Sequence, residues 1–326
     1  MSILITGIAG FIGFHTAMKL KHLNKHVLGI DNFCGTDESL FLKHQRSHLL
    51  KQNDIFVFKG DINQKNCFEK IFDENNDVYA ILHFAAQPGI FQSMQNPKSY
   101  IKDNINGFVS VLETCIKYGV SKLLYASSSS VYGHHSQLPM KETESHSNSS
   151  NLYSLTKRTN EMLADIYHKN YGISTLGLRF FSVYGPLGRP DMAYYVFTKN
   201  VLNRIPVLLH GKGMMARDYT YIEDVLEGIV AVLESSYQNE VFNLGSGTSY
   251  TLYEMLRIIQ DKLGIQASIQ KTDNMFFGVQ KTLACNEKSE RMLGYLAKTK
   301  FQDGLHQFID WYLEYKNAKN LKLESR

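Results

Sequence analysis

Cysteine is scarce and scattered in this chain. The 326 residues hold four, Cys34, Cys67, Cys115 and Cys285, with no Cys-x-x-Cys and no histidine at ligand spacing to complete a zinc set. No metal site and no disulfide framework is expected, and reduced core thiols fit a reducing compartment. Long apolar runs are missing too, since none reaches the ~18 residues of a membrane-spanning helix. Met1 leads straight into the strand-like Ile3-Leu4-Ile5 without a basic leader or a cleavage site, so a soluble, cytoplasmic protein with no membrane partner is expected. Long runs of like charge are absent as well: 35 basic against 31 acidic residues leave a formal charge of +4. This argues against a nucleic-acid partner and leaves at most a mild bias toward anionic small molecules. There are no internal repeats and no low-complexity tracts.

What is present is an ordinary globular composition, 44% apolar and 20% charged, in a chain long enough for two domains or for one large α/β domain with an appendage. Ser2 to Thr6 is a short apolar run that ends in Gly7 and passes through Gly10 and Gly13 into a helical periodicity. Strand-like runs recur at His26–Ile30, Ile55–Lys59, Val78–Phe84, Lys122–Ala126 and Ser174–Arg179. Between them lie helical stretches at 35–52, Asn63–Asn75, Pro97–Tyr118 and Leu152–Tyr171. Strands alternating with helices imply a Rossmann-type doubly wound parallel sheet, with ligands at the carboxyl ends of its strands. Beyond residue 180 strands shorten and turns multiply. The division expected is a nucleotide-binding domain over 1–180, with return segments around 215–245, and a smaller α/β substrate-binding domain over 181–326. The polar stretch Lys141–Asn151 is expected to be a surface loop.

The spacing Gly7-x-x-Gly10-x-x-Gly13 at a strand-to-helix turn suits close approach of backbone to a pyrophosphate, whose charge the helix N-terminus meets. Asp31 ends the second strand 24 residues after Gly7, where a carboxylate can hydrogen-bond both hydroxyls of an adenosine ribose and repel a 2′-phosphate, favouring NAD over NADP. Asp61, after the third strand, is a candidate adenine contact. Tyr153 and Lys157 stand four residues apart on one helix face. A neighbouring cation stabilises phenolate, which would prepare Tyr153 to act as a base. Taken alone that pair is also what a solvated helix face presents.

Together, Thr6-Gly7-Ile8-Ala9-Gly10-Phe11-Ile12-Gly13, Asp31-Asn32, Gly60-Asp61-Ile62, Ala85-Ala86-Gln87, Ser127-Ser128-Ser129-Ser130-Val131-Tyr132-Gly133 and Tyr153-x-x-x-Lys157 resemble the extended short-chain dehydrogenase/reductase family, in its nucleotide-sugar epimerase/dehydratase branch. The resemblance continues through Arg179-Phe180-Phe181-Ser182-Val183-Tyr184-Gly185-Pro186, Arg217-Asp218-Tyr219 and Asn243-Leu244-Gly245-Ser246-Gly247. It implies a triad of Ser128, Tyr153 and Lys157. Tyr153 would take a proton from a sugar hydroxyl while hydride passes to NAD, Lys157 would hold the phenolate and the nicotinamide ribose, and Ser128 would relay the proton. The cofactor contacts it implies are Gly7, Gly10, Phe11, Ile12, Gly13, Asp31, Asn32, Asp61, Ile62, Phe84, Ala85, Ala86, Asn104 and Phe181, with Tyr153 and Lys157. The substrate contacts are Gln87, Ser93, Ser128, Ser130, Ser182, Arg189 and Arg217. A homodimer through the Tyr153 helix and the Pro97–Tyr118 helix is also implied.

Dehydratases of this branch carry Asp-Glu where this chain has Ser129-Ser130, and the related decarboxylases carry Glu at the second position. A hydroxyl cannot replace a carboxylate in elimination, so oxidation and re-reduction remain, which is epimerisation at C4. Ser182-Val183-Tyr184-Gly185-Pro186-Leu187-Gly188-Arg189-Pro190-Asp191-Met192-Ala193 is close to the signature of UDP-glucuronate 4-epimerases. Arg217 corresponds to an arginine that meets the diphosphate, with a salt bridge to Asp218 or Glu223 as the plainer alternative. Arg189 would meet the sugar carboxylate, organise the pocket or cap a turn. Phe91-Gln92 replaces an Arg-Tyr pair and Phe277-Gly278-Val279 replaces Pro-Gly-Asp, so UDP-glucose/galactose or UDP-N-acetylhexosamine remain alternatives. A cofactor-binding sensor or scaffold without turnover is the alternative of another class.

Overall fold

The computed structural model describes residues 1–64, 66–133, 137–144, 151–272 and 279–324. The polar part of the expected loop, 145–150, and Phe277-Gly278 lie outside the described residues. Six strands alternate with helices in the first half: β1 (Ser2–Thr6), β2 (His26–Asp31), β3 (Phe56–Lys59), β4 (Val78–His83), β5 (Lys122–Ser128) and β6 (Ser174–Phe180). The second half adds β7 (Ser182–Tyr184), β8 (Val207–His210), β9 (Ala216–Tyr221), β10 (Asn239–Leu244), β11 (Ser249–Thr251) and β12 (Ile269–Thr272). Strands β1 to β6 and β10 form one parallel sheet in the order β10-β6-β5-β4-β1-β2-β3, the Rossmann arrangement. Strand β10 pairs in register with β6, so a segment from beyond residue 180 supplies the seventh strand. Strand β9 instead joins β7 and β11, and β12 pairs with β8.

The helices of the first half are α1 (Phe11–His22), α2 (Asp37–Gln52), α3 (Glu69–Glu74), α4 (Ile90–Gln95), α5 (Pro97–Tyr100), α6 (Gly107–Tyr118) and α7 (Leu152–Tyr171). They are followed by α8 (Ala193–Leu202), α9 (Ile222–Glu234), α10 (Leu252–Leu263), α11 (Glu287–Leu293) and α12 (Phe301–Glu324). Alternation along β1 sorts the core. Ile3 and Ile5 pack with Phe14, Leu42 and Ile229 on one face, under α1, α2 and α9. Leu4 packs with Phe108, Val111 and Ala164 on the other, under α6 and α7.

Two expected helices change form. The stretch Asn63–Asn75 is helical only over α3, because the Asp61 carboxylate accepts the Asn63 backbone N–H at 2.9 Å and holds a turn there. The stretch Pro97–Tyr118 is broken by a π-helical turn at Ile101–Asn106 between α5 and α6. That wider turn carries Asn104, whose amide is consumed by neighbouring protein groups. Helix α7 matches its expected bounds: Asn151 caps it by accepting the Ser154 N–H at 2.8 Å, and Gly172 ends it in a left-handed conformation. No helix among the described residues is long and apolar enough to cross a membrane.

Candidate active site

A cavity of about 740 Å³ opens along the carboxyl ends of the sheet strands and reaches from the β2 and β3 ends to the first turn of α7. It straddles β1 and β4, where the strand order reverses.

One end is built from backbone. Gly7 has φ of 71°, and a Cβ there would lie 2.7 Å from the Ala85 amide nitrogen, so only glycine fits against the end of β4. Gly10 donates to the Gly7 carbonyl at 2.9 Å and enters α1, whose first turn has no acidic residue and whose N-cap has no side chain. A Cβ on Gly13 would collide with that same carbonyl. Gly10, Phe11, Ile12 and Gly13 therefore line the cavity with the unpaired N–H end of a helix, a cradle for phosphate. Beside it stands buried Asp31. Its carboxylate accepts from Phe33 N–H at 2.8 Å, from Ala9 N–H at 3.2 Å and from Lys43 Nζ at 2.8 Å. Asn32 holds the Cys34 N–H at 3.0 Å.

The far rim is a chain of side chains. Asp61 is met by Asn63 and by Lys102 Nζ at 3.4 Å, and with Ile62 it faces the cavity. Gln87 lines the cavity, but its amide donates to Asp103 at 2.9 Å. Phe84, Ala85 and Ala86 form the wall between the two ends.

At the other end Ser128, Tyr153, Lys157, Phe181 and Arg189 converge on the cavity. The start of α7 is anchored on three sides. Ser93 accepts the Tyr153 N–H at 3.3 Å, Ser154 donates to the Ser130 carbonyl at 2.9 Å, and Thr156 donates to the Tyr153 carbonyl at 2.8 Å. Burial holds the Tyr153 phenol above its ordinary pKa, while a hydrogen bond with Ser128 and the positive charge of Arg189 oppose that rise. Arg189 itself is gripped by Asp191 through two bonds, at 3.1 and 2.6 Å. Lys157 is buried, donates to the Ala126 carbonyl at 2.8 Å and has its pKa lowered by that burial to about 8. Arg189 thus adds a positive charge to the surroundings of Tyr153 that the sequence spacing, which pointed to Lys157, did not show. His83 lies close enough for the Lys157 charge to oppose its protonation; burial does most to hold its pKa at about 3, so it is a neutral core residue bonded to Thr6 at 2.8 Å.

Five expected contacts do not reach the cavity wall. Asn104 is fully buried and spends its amide on the Gln87 backbone at 2.7 and 3.0 Å and on Thr156 at 3.1 Å. It therefore holds the Gln87 backbone beside the cavity. Ser93 is likewise buried and caps Tyr153. The Ser130 hydroxyl is buried without a hydrogen-bond partner among the described residues. Ser182 lies in the small sheet on β7. Arg217, on β9, donates to the Ala216 and Gln280 carbonyls at 2.8 and 3.3 Å and has no carboxylate partner among the described residues, so neither Asp218 nor Glu223 pairs with it. Asp218 is instead satisfied by Thr220, Ser246, Gly247 and Ala284. Val279, which replaces a carboxylate, packs in an apolar cluster with Val131, Met140 and Phe181.

Lys43, Arg46, Asp103 and Asp191 also line the cavity, and the sequence reading assigned none of them a role. Lys43 and Arg46 lie three apart on α2, a spacing that places two cations on one helix face but carries no motif.

Residues 3–245 match the NAD dependent epimerase/dehydratase family. The chain belongs to that family. Membership makes NAD the cofactor, and the glycine cradle, the Asp31 carboxylate and the length of the cavity fit it. The chain is 37% identical over 333 residues to UDP-glucuronate 4-epimerase 4 of Arabidopsis thaliana, covering 97% of this chain and 76% of the relative. Among solved structures it is similar to UDP-glucuronic acid 4-epimerase from Bacillus cereus in complex with UDP-glucuronic acid and NAD, with a TM-score of 0.90 and 32% identity over 97% of this chain and 100% of that one. UDP-glucose 4-epimerase from Thermotoga maritima follows with a TM-score of 0.88 and 29% identity, covering 97% and 99%.

Proposed function

We propose that the protein is an NAD-dependent UDP-glucuronate 4-epimerase. The observation that carries this reading is the convergence of Ser128, Tyr153, Lys157 and the Arg189 guanidinium at one end of the cavity, where positions 129 and 130 are serines. NAD, when bound, would supply reversible hydride-accepting chemistry at sugar C4. Gly7, Gly10, Phe11, Ile12 and Gly13 hold its pyrophosphate, Asp31 and Asn32 its adenosine ribose, and Asp61 and Ile62 its adenine. Phe84, Ala85, Ala86 and Phe181 flank it, and Lys157 takes the nicotinamide ribose.

Tyr153 accepts the proton of the sugar 4-hydroxyl and later gives it back, with Ser128 bonded to the same oxygen and steadying the transfer. Arg189 draws the phenol toward phenolate and offers a donor for the sugar carboxylate. Arg217 is free of any acidic partner among the described residues and is proposed for the diphosphate. Ser130, whose hydroxyl has no hydrogen-bond partner among the described residues, is proposed to act on the sugar side from behind the wall. Gln87 borders the substrate, and Ser93 and Ser182 act from behind the wall. The division into a nucleotide-binding half over 1–180, completed by α9 and β10, and a substrate half is part of the same proposal.

Leu155, Met162 and Ile166 expose an apolar stripe at helical spacing on α7, with Ile116 exposed on neighbouring α6. We assign that stripe to a homodimer, and four free thiols support a cytoplasmic home. Met162→Glu should shift the particle from dimer to monomer in light scattering.

The neutral Gln92 at the cavity wall favours a second reading, a UDP-hexose epimerase. Purified protein incubated separately with UDP-glucuronate, UDP-glucose and UDP-N-acetylglucosamine, without reductant, decides between them by NMR of the anomeric protons. Interconversion of UDP-glucuronate and UDP-galacturonate is expected. Turnover of a neutral sugar alone would refute the first reading, and no turnover of any would favour a cofactor-binding sensor.

A further inference from the structure

Arg46 projects from α2 into the core and is 3% exposed, yet it pairs with no carboxylate among the described residues. Its N–H groups go to carbonyls instead. Nε and Nη2 donate to Leu187 O at 3.1 and 2.6 Å, Nη2 also reaches Gly188 O at 3.4 Å, and Nη1 donates to Ala9 O at 2.9 Å. Ala9 sits in the glycine-rich turn, whereas Leu187 and Gly188 immediately precede Arg189. A second tie runs in parallel, from His15 Nε2 on α1 to Pro186 O at 3.0 Å. Burial lowers the His15 pKa to about 4, so the ring is neutral near pH 7, and because a carbonyl only accepts, the proton is on Nε2. The loop so held is not at rest by itself. Leu187 has φ of 56°, a left-handed conformation that a leucine keeps only under constraint.

We propose that Arg46, seconded by His15, is a positioning residue that couples the phosphate-binding turn to the loop presenting Arg189 to Tyr153. This rests on the epimerase reading above. A guanidinium spans three carbonyls from two segments at once, which the single ammonium of lysine cannot do. Burying a cation among neutral carbonyls is unfavourable, and burial lowers the Arg46 pKa to about 10, against the opposing pull of Tyr194 and Asp31. That cost is sensible where geometry between two halves of a site must be kept. Around the Tyr153 phenol stand Ser128 from β5, Tyr100 from α5, Lys157 one turn along α7, and the Arg189–Asp191 pair from the loop. Of these groups, the Arg189–Asp191 pair follows directly on Leu187 and Gly188, whose carbonyls Arg46 holds.

The test uses the NAD-loaded protein with Arg46→Gln, Arg46→Lys and His15→Phe. The phenylalanine keeps the ring packed edge-on against Phe11 and Phe14 while removing the bond to Pro186. Bound NAD per chain, kcat, KM and the ionisation of Tyr153 are measured, the last by ultraviolet difference against the same protein carrying Tyr153→Phe. Both Arg46 variants should keep NAD, lose about tenfold or more in kcat with a smaller change in KM, and ionise Tyr153 at higher pH, because the Arg189 charge has withdrawn. His15→Phe should move both readouts the same way by about two- to threefold, and it decides alone if the Arg46 variants fail to fold. Unchanged kcat with an unshifted Tyr153 in folded, NAD-loaded variants overturns the proposal. Loss of NAD with normal turnover on resupply overturns it too, assigning Arg46 to the cofactor only. If the unaltered protein turns over no nucleotide sugar, the epimerase reading fails, while the Tyr153 ionisation still decides the coupling.

Discussion

The two ends of the cavity are built on opposite principles. At the adenosine end Asp31 has three protein donors, Asp61 has Asn63 and Lys102, and Gln87 is held through both its backbone and its amide. The side chains there are already held by protein partners, and the N–H end of α1 is left open for phosphate, which suits a cofactor that stays bound through every turnover. At the reacting end Lys157 is buried without a carboxylate partner among the described residues, and the Tyr153 phenol is held above its ordinary pKa. Groups of that kind are kept out of their resting states by burial and are available to substrate. Binding is preformed where identity must be kept, and chemistry is left unsatisfied where it must turn over.

Removing the phenol at the reacting end should have the largest effect. Tyr153→Phe is expected to cut kcat by about 10²- to 10⁴-fold while retaining NAD, as read by the rate of UDP-sugar interconversion and by the absorbance of released cofactor. Near-normal turnover would erase the contrast between the two ends. Lys157→Met follows. Burial lowers that lysine from 10.5 to about 8, so between these values the folded protein binds fewer protons than the unfolded chain and gains stability as pH rises. The penalty is full below about pH 8 and gone above about pH 10.5, and Lys157→Met should abolish about 3 kcal/mol of that slope. Denaturant midpoints of the ligand-free protein at both pH extremes measure it; parallel slopes for variant and unaltered protein would show that Lys157 is solvated. Asp103→Asn at the adenosine end should be mildest, because Gln87 keeps its backbone bonds to Asn104. About 1 kcal/mol or less of NAD affinity is at stake, and a larger loss in a calorimetric titration would mean that this rim is not redundant.

The Gly7-x-x-Gly10-x-x-Gly13 turn and Asp31 were legible from the chain because each depends on a short stretch: a strand end, a glycine where a Cβ would strike Ala85 or the Gly7 carbonyl, a carboxylate one strand on. Tyr153 and Lys157 were legible as a pair, since four residues on a helix fix their relation. Their electrostatics were not. Lys157 turns to the Ala126 carbonyl, and the charge of Arg189, on a loop 36 positions away in sequence, also bears on Tyr153. Asn104, which the family resemblance implies as a cofactor contact, lies on the π-helical turn at Ile101–Asn106, which aims its amide at Gln87.

By itself, then, the sequence determined the doubly wound sheet and the phosphate turn, which rest on periodicity or on residues a few positions apart, and with Asp31 and the family resemblance it implied the cofactor class and the absence of an eliminating carboxylate at positions 129 and 130. Tertiary structure alone decided that Arg189 joins Lys157 near Tyr153, which polar side chains spend themselves on the protein, and that Arg46 and His15 tie the cofactor turn to the Arg189 loop. Those are contacts across 141 and 171 positions, and no local pattern records a bond whose acceptor is a backbone carbonyl of any residue.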